Sequence, residues 1–347
     1  MALPRSLLDD RAAGALLGGA LGDALGMPTQ TLSPEAIRAA FGRVEGFVAA
    51  DPDHPVSHGL SAGTVTDDTE QTLLLARILL DSPGRLDQRR WTAALDAWER
   101  DVVARGGADL LGPSTRRAID AVRRGEPPER AGAGGDTNGA AMRVAPVGIA
   151  TPAEPLDRLI DAVADASLAT HGTGVAIAGA SAVAAAVSLG VGGGGWSEAC
   201  AFAVRAAREG ARRGRWTAGA DCAARIELAL GLVREGTADE ESAHASKATA
   251  RRLARLVGTS VATQESVPCA FGALALAGGD PWRAGLVAAN LGGDTDTIGA
   301  IAGAVGGACA GAAALPAEAV RALRGIEPDR VEGIARRLVE RRLGGPA

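Results

Sequence analysis

The sequence predicts an all-α protein that forms a single compact multi-helix domain over residues 1–347. Apolar residues recur at three- and four-residue spacing in most segments, whereas the alternating pattern of strands is nearly absent. Hydrophobic residues make up 47% of the chain and charged residues 22%, a balance typical of globular proteins. No linker, repeat or low-complexity boundary divides the sequence. We therefore expect one domain of about a dozen packed helices.

Start and stop signals bound the predicted helices. Pro113, for example, opens a periodic segment that closes on Gly125. The predicted helices are the apolar stretch around Asp23 and residues 69–81, 91–104, 113–125, 155–169, 174–190, 196–214, 222–236, 246–258 and 281–293. Two loops interrupt the series: residues 47–61, with two Pro and two His, and the Gly-rich residues 125–139.

Composition excludes several functional classes. A net charge of −5 argues against a nucleic-acid partner, because such binding depends on clustered positive charge. The cysteines are far apart, without a CxxC pair or a His at ligand spacing, which disfavours a zinc site or a disulfide framework and fits a reducing cytoplasm. They are Cys200, Cys222, Cys269 and Cys309. No spacing suggests a covalent nucleophile, and no Walker or dinucleotide motif is present.

Two apolar runs could be mistaken for membrane spans. Residues 166–196 and 298–315 are nearly free of charge, but both consist mostly of Ala and Gly, and neither has an aromatic belt or a flanking bias of Arg. Helices buried inside the protein explain them better. The N-terminus also lacks the pattern of a signal peptide. We expect a cytoplasmic protein with no membrane partner.

Two segments place threonine beside paired carboxylates at the mouth of a predicted helix. The first is TVTDDTEQ, residues 64–71, and the second is DTDT, residues 294–297. Each alone could be a helix N-cap, for which Asp and Thr are preferred. A cap needs one side chain, however, and neighbouring helical residues diverge by about 100°. Asp67 and Asp68 therefore cannot both serve one cap.

A cation site explains the full set of acids better than capping does. The four carboxylates are those of Asp67, Asp68, Asp294 and Asp296. Hard cations prefer carboxylate, hydroxyl and water oxygens, and clustered carboxylates would repel one another without a cation. The two segments together therefore favour a pair of Mg²⁺ or Mn²⁺ ions.

Three further features support more than one interpretation. Asp23, in an apolar helix, is either a satisfied core group or a support for a metal ligand. The segment 134–139, GGDTNG, is either a plain loop or an anion-binding nest followed by a helix N-terminus. His171 in ATHGTG, expected at a helix start, is a lone histidine, and such residues are more often structural than catalytic.

Together these motifs resemble those of the ADP-ribosylglycohydrolases. GALLGGALGDALG, TDDTEQTLLLA, TNGAAMRVAPVG, TH before a small-residue helix, and LGGDTDTIGAIAGA follow the family's order over roughly residues 12–315. That family includes hydrolases that remove ADP-ribose from arginine or serine, dinitrogenase reductase-activating glycohydrolases and lens J1 crystallins. The resemblance implies an all-α domain of the ADP-ribosylglycohydrolase type with a binuclear Mg²⁺ or Mn²⁺ centre.

The resemblance also implies roles for individual residues. The implied metal ligands are Thr66, Asp67, Asp68, Asp294, Asp296 and Thr297. The implied substrate contacts are Gly135, Asn138 and Gly139 in a diphosphate-binding loop, together with His171 and Gln30.

Gln30 departs from the family pattern. Members that act on ADP-ribosylated proteins usually carry a Glu some four residues after GDALG, beside the metals, and this chain has Gln30 there. An amide cannot be a general base. Metal ions lower the pKa of bound water, so hydrolysis does not require that Glu, but a different substrate is an open alternative.

We therefore expect a metal-dependent hydrolase of a ribosyl glycosidic bond, in an ADP-ribosyl conjugate or a smaller N-riboside. Asp68 or Asp296 is expected to accept the proton of the attacking water. The expected partner is a small ribosyl substrate or an ADP-ribosylated target. The alternative is a non-catalytic ADP-ribose-binding or crystallin-like structural protein. The leaving group, the choice between Mg²⁺ and Mn²⁺ and the oligomeric state do not follow from the sequence.

Overall fold

Helices account for all the regular structure in the part of the chain that the structure describes. A computed structural model describes residues 3–82, 84–107, 110–238 and 243–344, so both ends of the predicted domain, 1–347, lie outside it. Within those ranges there are eighteen α-helices, and β pairing is limited to three isolated bridges. The all-α prediction is confirmed.

The helices are α1 (Arg5–Gly26), α2 (Pro34–Phe41), α3 (Asp67–Leu80), α4 (Gln88–Ala104), α5 (Pro113–Arg123), α6 (Pro128–Ala131), α7 (Gly139–Met142), α8 (Ala145–Ala150), α9 (Leu156–Ser167), α10 (Gly174–Val191), α11 (Trp196–Ala211), α12 (Cys222–Ala238), α13 (Ala243–Arg252), α14 (Thr263–Leu276), α15 (Pro281–Ala288), α16 (Thr295–Ala310), α17 (Ala317–Ala322) and α18 (Pro328–Arg342). Shorter 3₁₀ turns span Met27–Thr29 and Ala312–Ala314, and a π turn spans Leu253–Val257.

Helices α1 and α16 meet backbone to backbone in an antiparallel pair. A Cβ atom at any glycine of this contact would overlap a carbonyl oxygen of the facing helix, so only glycine permits the approach. We call this contact the glycine seam; its members are Gly14, Gly18, Gly22 and Gly26 on α1 and Gly299, Gly303 and Gly307 on α16. At one end, Oγ1 of Thr295 donates to the carbonyl of Gly26 over 2.8 Å. The seam thereby holds Asp23 beside the start of α16.

Helix α10 is the central core helix. It is long and apolar enough to cross a membrane, but 89% of its 18-residue span is buried inside the protein. Its neighbours α8, α9, α11 and α16 cover it. The run 298–315 falls largely in α16, whose residues from Thr295 to Ala308 are all buried. Both apolar runs are thus core helices.

The helix count exceeds the prediction because single turns of helix occur where loops were expected and because several longer helices were not predicted. The predicted loop 125–139 contains α6, one turn that begins at Pro128; proline at the first helical position supplies the required φ angle. Helix α14 runs through Pro268 in its interior. Helices α2, α17 and α18 lie in segments for which no helix was predicted. The loop 47–61 is irregular, as predicted.

Candidate metal centre and substrate loop

The first Thr/Asp segment forms the N-terminus of α3. Thr66 is the N-cap residue, and its Oγ1 accepts a long hydrogen bond of 3.5 Å from the backbone N–H of Asp68. Asp67 and Asp68 are the first two helical residues, and both are buried. Asp67 accepts a 3.0 Å bond from Nε2 of Gln71, one turn along the helix. Capping therefore accounts for Thr66 and leaves the two carboxylates to be explained.

The second segment forms the N-terminus of α16 and touches the first. Asp294 is the N-cap residue, without a cap bond from its side chain, and Asp296 and Thr297 lie in the first turn. Oγ1 of Thr297 donates to Oδ2 of Asp68 over 3.3 Å. Asp294 accepts a short hydrogen bond from the amide of Asn138. The structure thus brings the two predicted ligand segments together at the mouths of two helices.

The clustered acids raise one another's pKa values. Burial, followed by repulsion from Asp296, raises the pKa of Asp67 well above its usual range. Burial and the neighbouring carboxylates act in the same way on the pKa values of Asp68 and Asp296. For Asp294, burial raises the pKa and the hydrogen bond from Asn138 opposes the shift. Such a site favours positive charge among the carboxylates.

One carboxylate oxygen in this cluster has no partner. Oδ1 of Asp68 is buried and accepts no hydrogen bond within the described residues. A buried, unpartnered acceptor is costly, and a cation would satisfy it. The donor set of carboxylates and hydroxyls suits Mg²⁺ or Mn²⁺. Over the same described ranges, no three His, Cys, Asp or Glu side chains already stand in a compact coordinating group. Several of these acids instead bond to protein neighbours.

Asp23 supports the start of α3. It is fully buried and accepts hydrogen bonds from the backbone N–H and the hydroxyl of both Thr66 and Thr69, at 2.5 to 3.2 Å. Burial raises the pKa of Asp23 to about 6, and these donors oppose the shift. Because Asp23 takes the hydroxyl hydrogen of Thr66 and the N–H of Asp68 takes one lone pair of the oxygen, the other lone pair is left for a cation. Asp23 is thus a satisfied core group whose hydrogen bonds also hold Thr66, so the structure is compatible with both interpretations of this residue.

The glycine-rich segment 134–139 packs against the residues before α10. The Gly135 N–H donates to the carbonyl of Gly132, the Gly135 carbonyl accepts from Thr173, and a Cβ at Gly135 would overlap the Thr170 carbonyl. Gly135 is therefore required for this packing, whatever the loop binds.

Other groups of the loop remain available to a ligand. The backbone N–H groups of Gly134, Asp136 and Thr137 have no acceptor in the described part of the chain, and a Cβ at Gly134 would meet open space. Neighbouring free N–H groups in a loop are typical of anion sites. The helix that follows, α7, begins at Gly139 and is a single turn. Asn138 turns its amide toward Ser266 and Asp294.

His171 lies behind this loop, three residues before α10 and not at its first turn. Both ring nitrogens are engaged: Nδ1 lies 2.7 Å from Oγ1 of Thr170, and Nε2 lies 3.1 Å from Oγ1 of Thr137. Burial, together with the positive charges of Arg143 and Arg117, lowers the pKa of His171 well below its usual range. The ring is therefore neutral at physiological pH. Its edge fills the space that a Cβ at Gly139 would need.

Gln30 is buried and bonded to the loop 47–61. Its Nε2 donates to Oγ of Ser57 over 3.0 Å, and that hydroxyl in turn donates to the carbonyl of Met27. The backbone carbonyl oxygen of Gln30 lies 3.0 Å from Nε2 of His54, whose Nδ1 accepts from two backbone N–H groups. A glutamate at position 30 could not donate to Ser57. This loop is therefore built around an amide.

Several residues of the site carried no sequence prediction. Gln71, four residues after Asp67 on the same helix face, could have been found from that spacing. Arg143, Thr170 and Ser57 join the site only through contacts between distant segments, for which a single sequence offers no periodic signal.

Comparison with known proteins agrees with the all-α fold. The sequence model of the ADP-ribosylglycohydrolase family matches residues 4–346. A solved structure described as an ADP-ribosylglycohydrolase-related protein complex superimposes with a TM-score of 0.69 at 27% identity, covering 97% of this chain and 99% of that one.

Two curated relatives show how far the similarity extends. YegU of Escherichia coli K12, an uncharacterised protein, is 38% identical over 300 residues, 84% of this chain and 85% of that protein. The ADP-ribosylarginine hydrolase Tri1 of Pseudomonas putida GB-1 is 34% identical over 149 residues, 40% of this chain and 36% of that protein.

Proposed function

The chain belongs to the ADP-ribosylglycohydrolase family, and from this premise we propose that it hydrolyses a ribosyl glycosidic bond at a centre of two Mg²⁺ or Mn²⁺ ions. The substrate is an ADP-ribosyl conjugate or a smaller N-riboside. The observation that carries the proposal is the hydrogen bond of Thr297 to Asp68, because it joins two buried acid clusters from opposite ends of the chain. A fold held together for stability alone has no physical need for four such acids.

The ligands in this proposal are the six residues of the two segments. They are Thr66, Asp67, Asp68, Asp294, Asp296 and Thr297. Bound divalent cations supply positive charge that makes water a better nucleophile at neutral pH. Asp68 or Asp296 accepts a proton from the attacking water, because both carboxylates lie in the cluster and no general-base Glu is present at position 30.

The loop around Gly134 is the proposed site for a diphosphate. Three free backbone N–H groups and a glycine that faces open space support that role. A substrate with a diphosphate is therefore favoured over free ribose. Protein-linked ADP-ribose is the less favoured form of substrate, because Gln30 replaces the usual acid and is bonded to Ser57.

The direct test is a hydrolysis screen. ADP-ribosyl-arginine, ADP-ribosyl-serine, other ADP-ribose conjugates and free nucleosides are incubated with the protein in excess Mg²⁺, in excess Mn²⁺ or in chelator. We expect release of ADP-ribose or ribose from at least one substrate, with loss of activity in chelator. Hydrolysis that is unaffected by chelator would contradict the metal centre.

A non-catalytic, crystallin-like protein is the competing possibility. Such a scaffold would take up no metal and would show no stabilisation by Mg²⁺. Metal analysis and a thermal shift with and without Mg²⁺ distinguish the two, because a ligand that binds only the native state raises the unfolding temperature.

A further inference from the structure

Arg143 is a fully buried cation between the metal centre and the glycine-rich loop. It is 1% exposed, and its guanidinium carbon lies 5.2 Å from the ring centroid of Trp91. Burial lowers the pKa of Arg143 to about 10 and the charge of Asp67 opposes the shift, so the side chain is charged at neutral pH. A charged group at this position does not stabilise an apolar core, since burying a charge is costly unless it is paired.

One branch of hydrogen bonds runs from Arg143 to the metal centre. Nη1 donates to Oε1 of Gln71 over 2.6 Å, and Nε2 of the same amide donates to Oδ2 of Asp67 over 3.0 Å. An amide can serve both neighbours in only one orientation. The guanidinium therefore determines that the NH₂ end of the Gln71 amide meets Asp67, and so orients that carboxylate.

The other branch runs to the loop. Nη2 of Arg143 donates to Oγ1 of Thr170 over 2.5 Å. Thr170 is buried, and its hydroxyl hydrogen has no acceptor in the described residues other than Nδ1 of His171, 2.7 Å away. Because Nδ1 then accepts, the neutral ring carries its proton on Nε2 and donates to Oγ1 of Thr137 over 3.1 Å.

The direction of this branch determines what Thr137 offers to a ligand. Because Oγ1 of Thr137 accepts the hydrogen bond from Nε2–H of His171, the hydroxyl hydrogen of Thr137 is available to donate to a ligand. Thr137 is half-buried and belongs to the same loop as the N–H groups of Gly134 and Asp136, which have no acceptor among the described residues. A hydroxyl donor among backbone donors suits an anionic group.

We infer that Arg143 is a positioning residue that orients Asp67 through Gln71 and, through Thr170 and His171, makes Thr137 a hydrogen-bond donor to an anionic group of the substrate. This inference deepens the proposed function and depends on it for the identity of the substrate. The bond directions do not depend on it, since they are a property of the protein without ligand.

Variants that interrupt one branch at a time separate positioning from a general structural role. Thr170→Val keeps the shape of the side chain and removes the hydroxyl of the loop branch. Gln71→Leu interrupts only the metal branch. Arg143→Met interrupts both branches, and Arg143→Lys restores the charge with a single donor group.

The primary measurement is the tautomer of His171 by ¹⁵N NMR at neutral pH on protein labelled at its four histidines, with His171→Gln to assign the signal. We expect the Nε2–H form in the unmodified protein and in Gln71→Leu. Thr170→Val and Arg143→Met should lose that single form. An Nδ1–H ring in the unmodified protein, or an unchanged ring in Thr170→Val, would overturn the inference.

Binding measurements test where the two branches end. Gln71→Leu should weaken Mn²⁺ binding about 10- to 100-fold, as loss of outer-shell partners does, and leave ADP-ribose binding unchanged. Thr170→Val should do the reverse, and Arg143→Lys should retain more of both affinities than Arg143→Met. Equal loss of both affinities in each single-branch variant would reduce Arg143 to a structural role.

The outcomes also separate this inference from the proposed function. If the unmodified protein binds neither Mn²⁺ nor ADP-ribose, the proposed function fails while the tautomer still decides the bond directions. Should Arg143→Met not fold, Thr170→Val and Gln71→Leu remain decisive.

Discussion

Oγ1 of Thr297 donates to Oδ2 of Asp68 over 3.3 Å, across 229 residues of sequence. The bond connects the first turns of α16 and α3, which carry the acids of the candidate centre. Asp23 holds the start of α3 through Thr66 and Thr69, and the glycine seam holds α1 against α16. The two acid clusters are thus aligned by protein contacts alone.

Asp296→Asn should weaken the binding of at least one divalent ion. The substitution removes one charged ligand, and the effect should exceed about 10-fold because even outer-shell partners contribute that much. In chelator the variant should be more stable than the parent, since burial and repulsion from neighbouring acids raise the pKa of Asp296 and so oppose its charge. Calorimetry with Mg²⁺ and Mn²⁺ and thermal unfolding in chelator measure both effects. Asp329→Asn, at an exposed position, controls for the change of charge; unchanged stoichiometry and affinity in Asp296→Asn would rule out this ligand.

ADP-ribose should bind more tightly than ribose. The free N–H groups of the loop can take the diphosphate, which ribose lacks. A bulky residue at Gly134, which faces open space, should reduce this difference without lowering the unfolding temperature. Gly135→Ala is the contrasting variant: it should lower stability, because its Cβ overlaps the Thr170 carbonyl. Equal affinities for the two ligands in the parent would point to a substrate without a diphosphate.

Gln30→Glu should raise activity on ADP-ribosyl-arginine or ADP-ribosyl-serine proteins, on which the parent should be weak or inactive. A general base contributes about 10²–10⁴-fold, so a gain is measurable as ADP-ribose release at saturating Mg²⁺. The new carboxylate also loses the bond to Ser57, which should cost roughly 1–3 kcal/mol of stability. Gln30→Met, which loses the same bond without gaining a base, is the matched control. Full activity in the parent, with no gain on adding Glu, would show that Gln30 does not replace a base.

Acid should destabilise the protein through His171. Burial and the charges of Arg143 and Arg117 lower its pKa in the folded state, so below the unfolded pKa of about 6.5 the unfolded state binds the extra proton. The contribution of His171 to stability should therefore fall by up to about 1.4 kcal/mol as pH drops from about 7.5 to 5.5. The buried acids of the metal centre act in the opposite direction, because their raised pKa values let the folded state take up protons. His171→Gln should reduce that loss, as measured by denaturant unfolding at both pH values. The same substitution at the exposed His58 controls for the loss of an imidazole; an identical pH dependence in His171→Gln and the parent would exclude His171 as the cause.

Gly22→Ala should destabilise the protein and weaken metal binding. Its Cβ would overlap the Gly299 carbonyl, and pushing backbone away typically costs about 1–3 kcal/mol or more. Gly19→Ala is the control on the same helix, because its Cβ finds its nearest neighbour at 3.5 Å. It should be neutral or stabilise by up to about 1 kcal/mol through helix propensity. Equal effects in chemical unfolding would show that the seam does not restrict side-chain size.

Local patterns were sufficient to predict the class of fold and the two acid segments. The helical period and the start signals of segments such as 113–125 are properties of consecutive residues. The helices that were not predicted lack such clear local signals. Helix α14 contains Pro268, which local rules treat as a break, and α6 is too short to show a period.

The supporting contacts of the site could not be predicted, because they join distant segments. Arg143 sits in a stretch of small residues, and nothing nearby indicates that Gln71 and Thr170 will receive its hydrogen bonds. The spacing of four residues between Gly14, Gly18 and Gly22 was visible in the sequence, yet it does not say which helix lies opposite. Only the folded chain supplies that partner.

The glycine seam also has a consequence for the order in which the chain can fold. Its two halves lie near opposite ends of the sequence. At a synthesis rate of about 5–20 residues per second, the α1 half is therefore made roughly 15–60 s before the α16 half. Until then α1 has no α16 to pack against, and its apolar surface is exposed while the chain is still on the ribosome. Contacts between such distant residues form slowly, so we expect folding to finish only after α16 is released. A chain truncated before α16 would then be a substrate for chaperones or proteases.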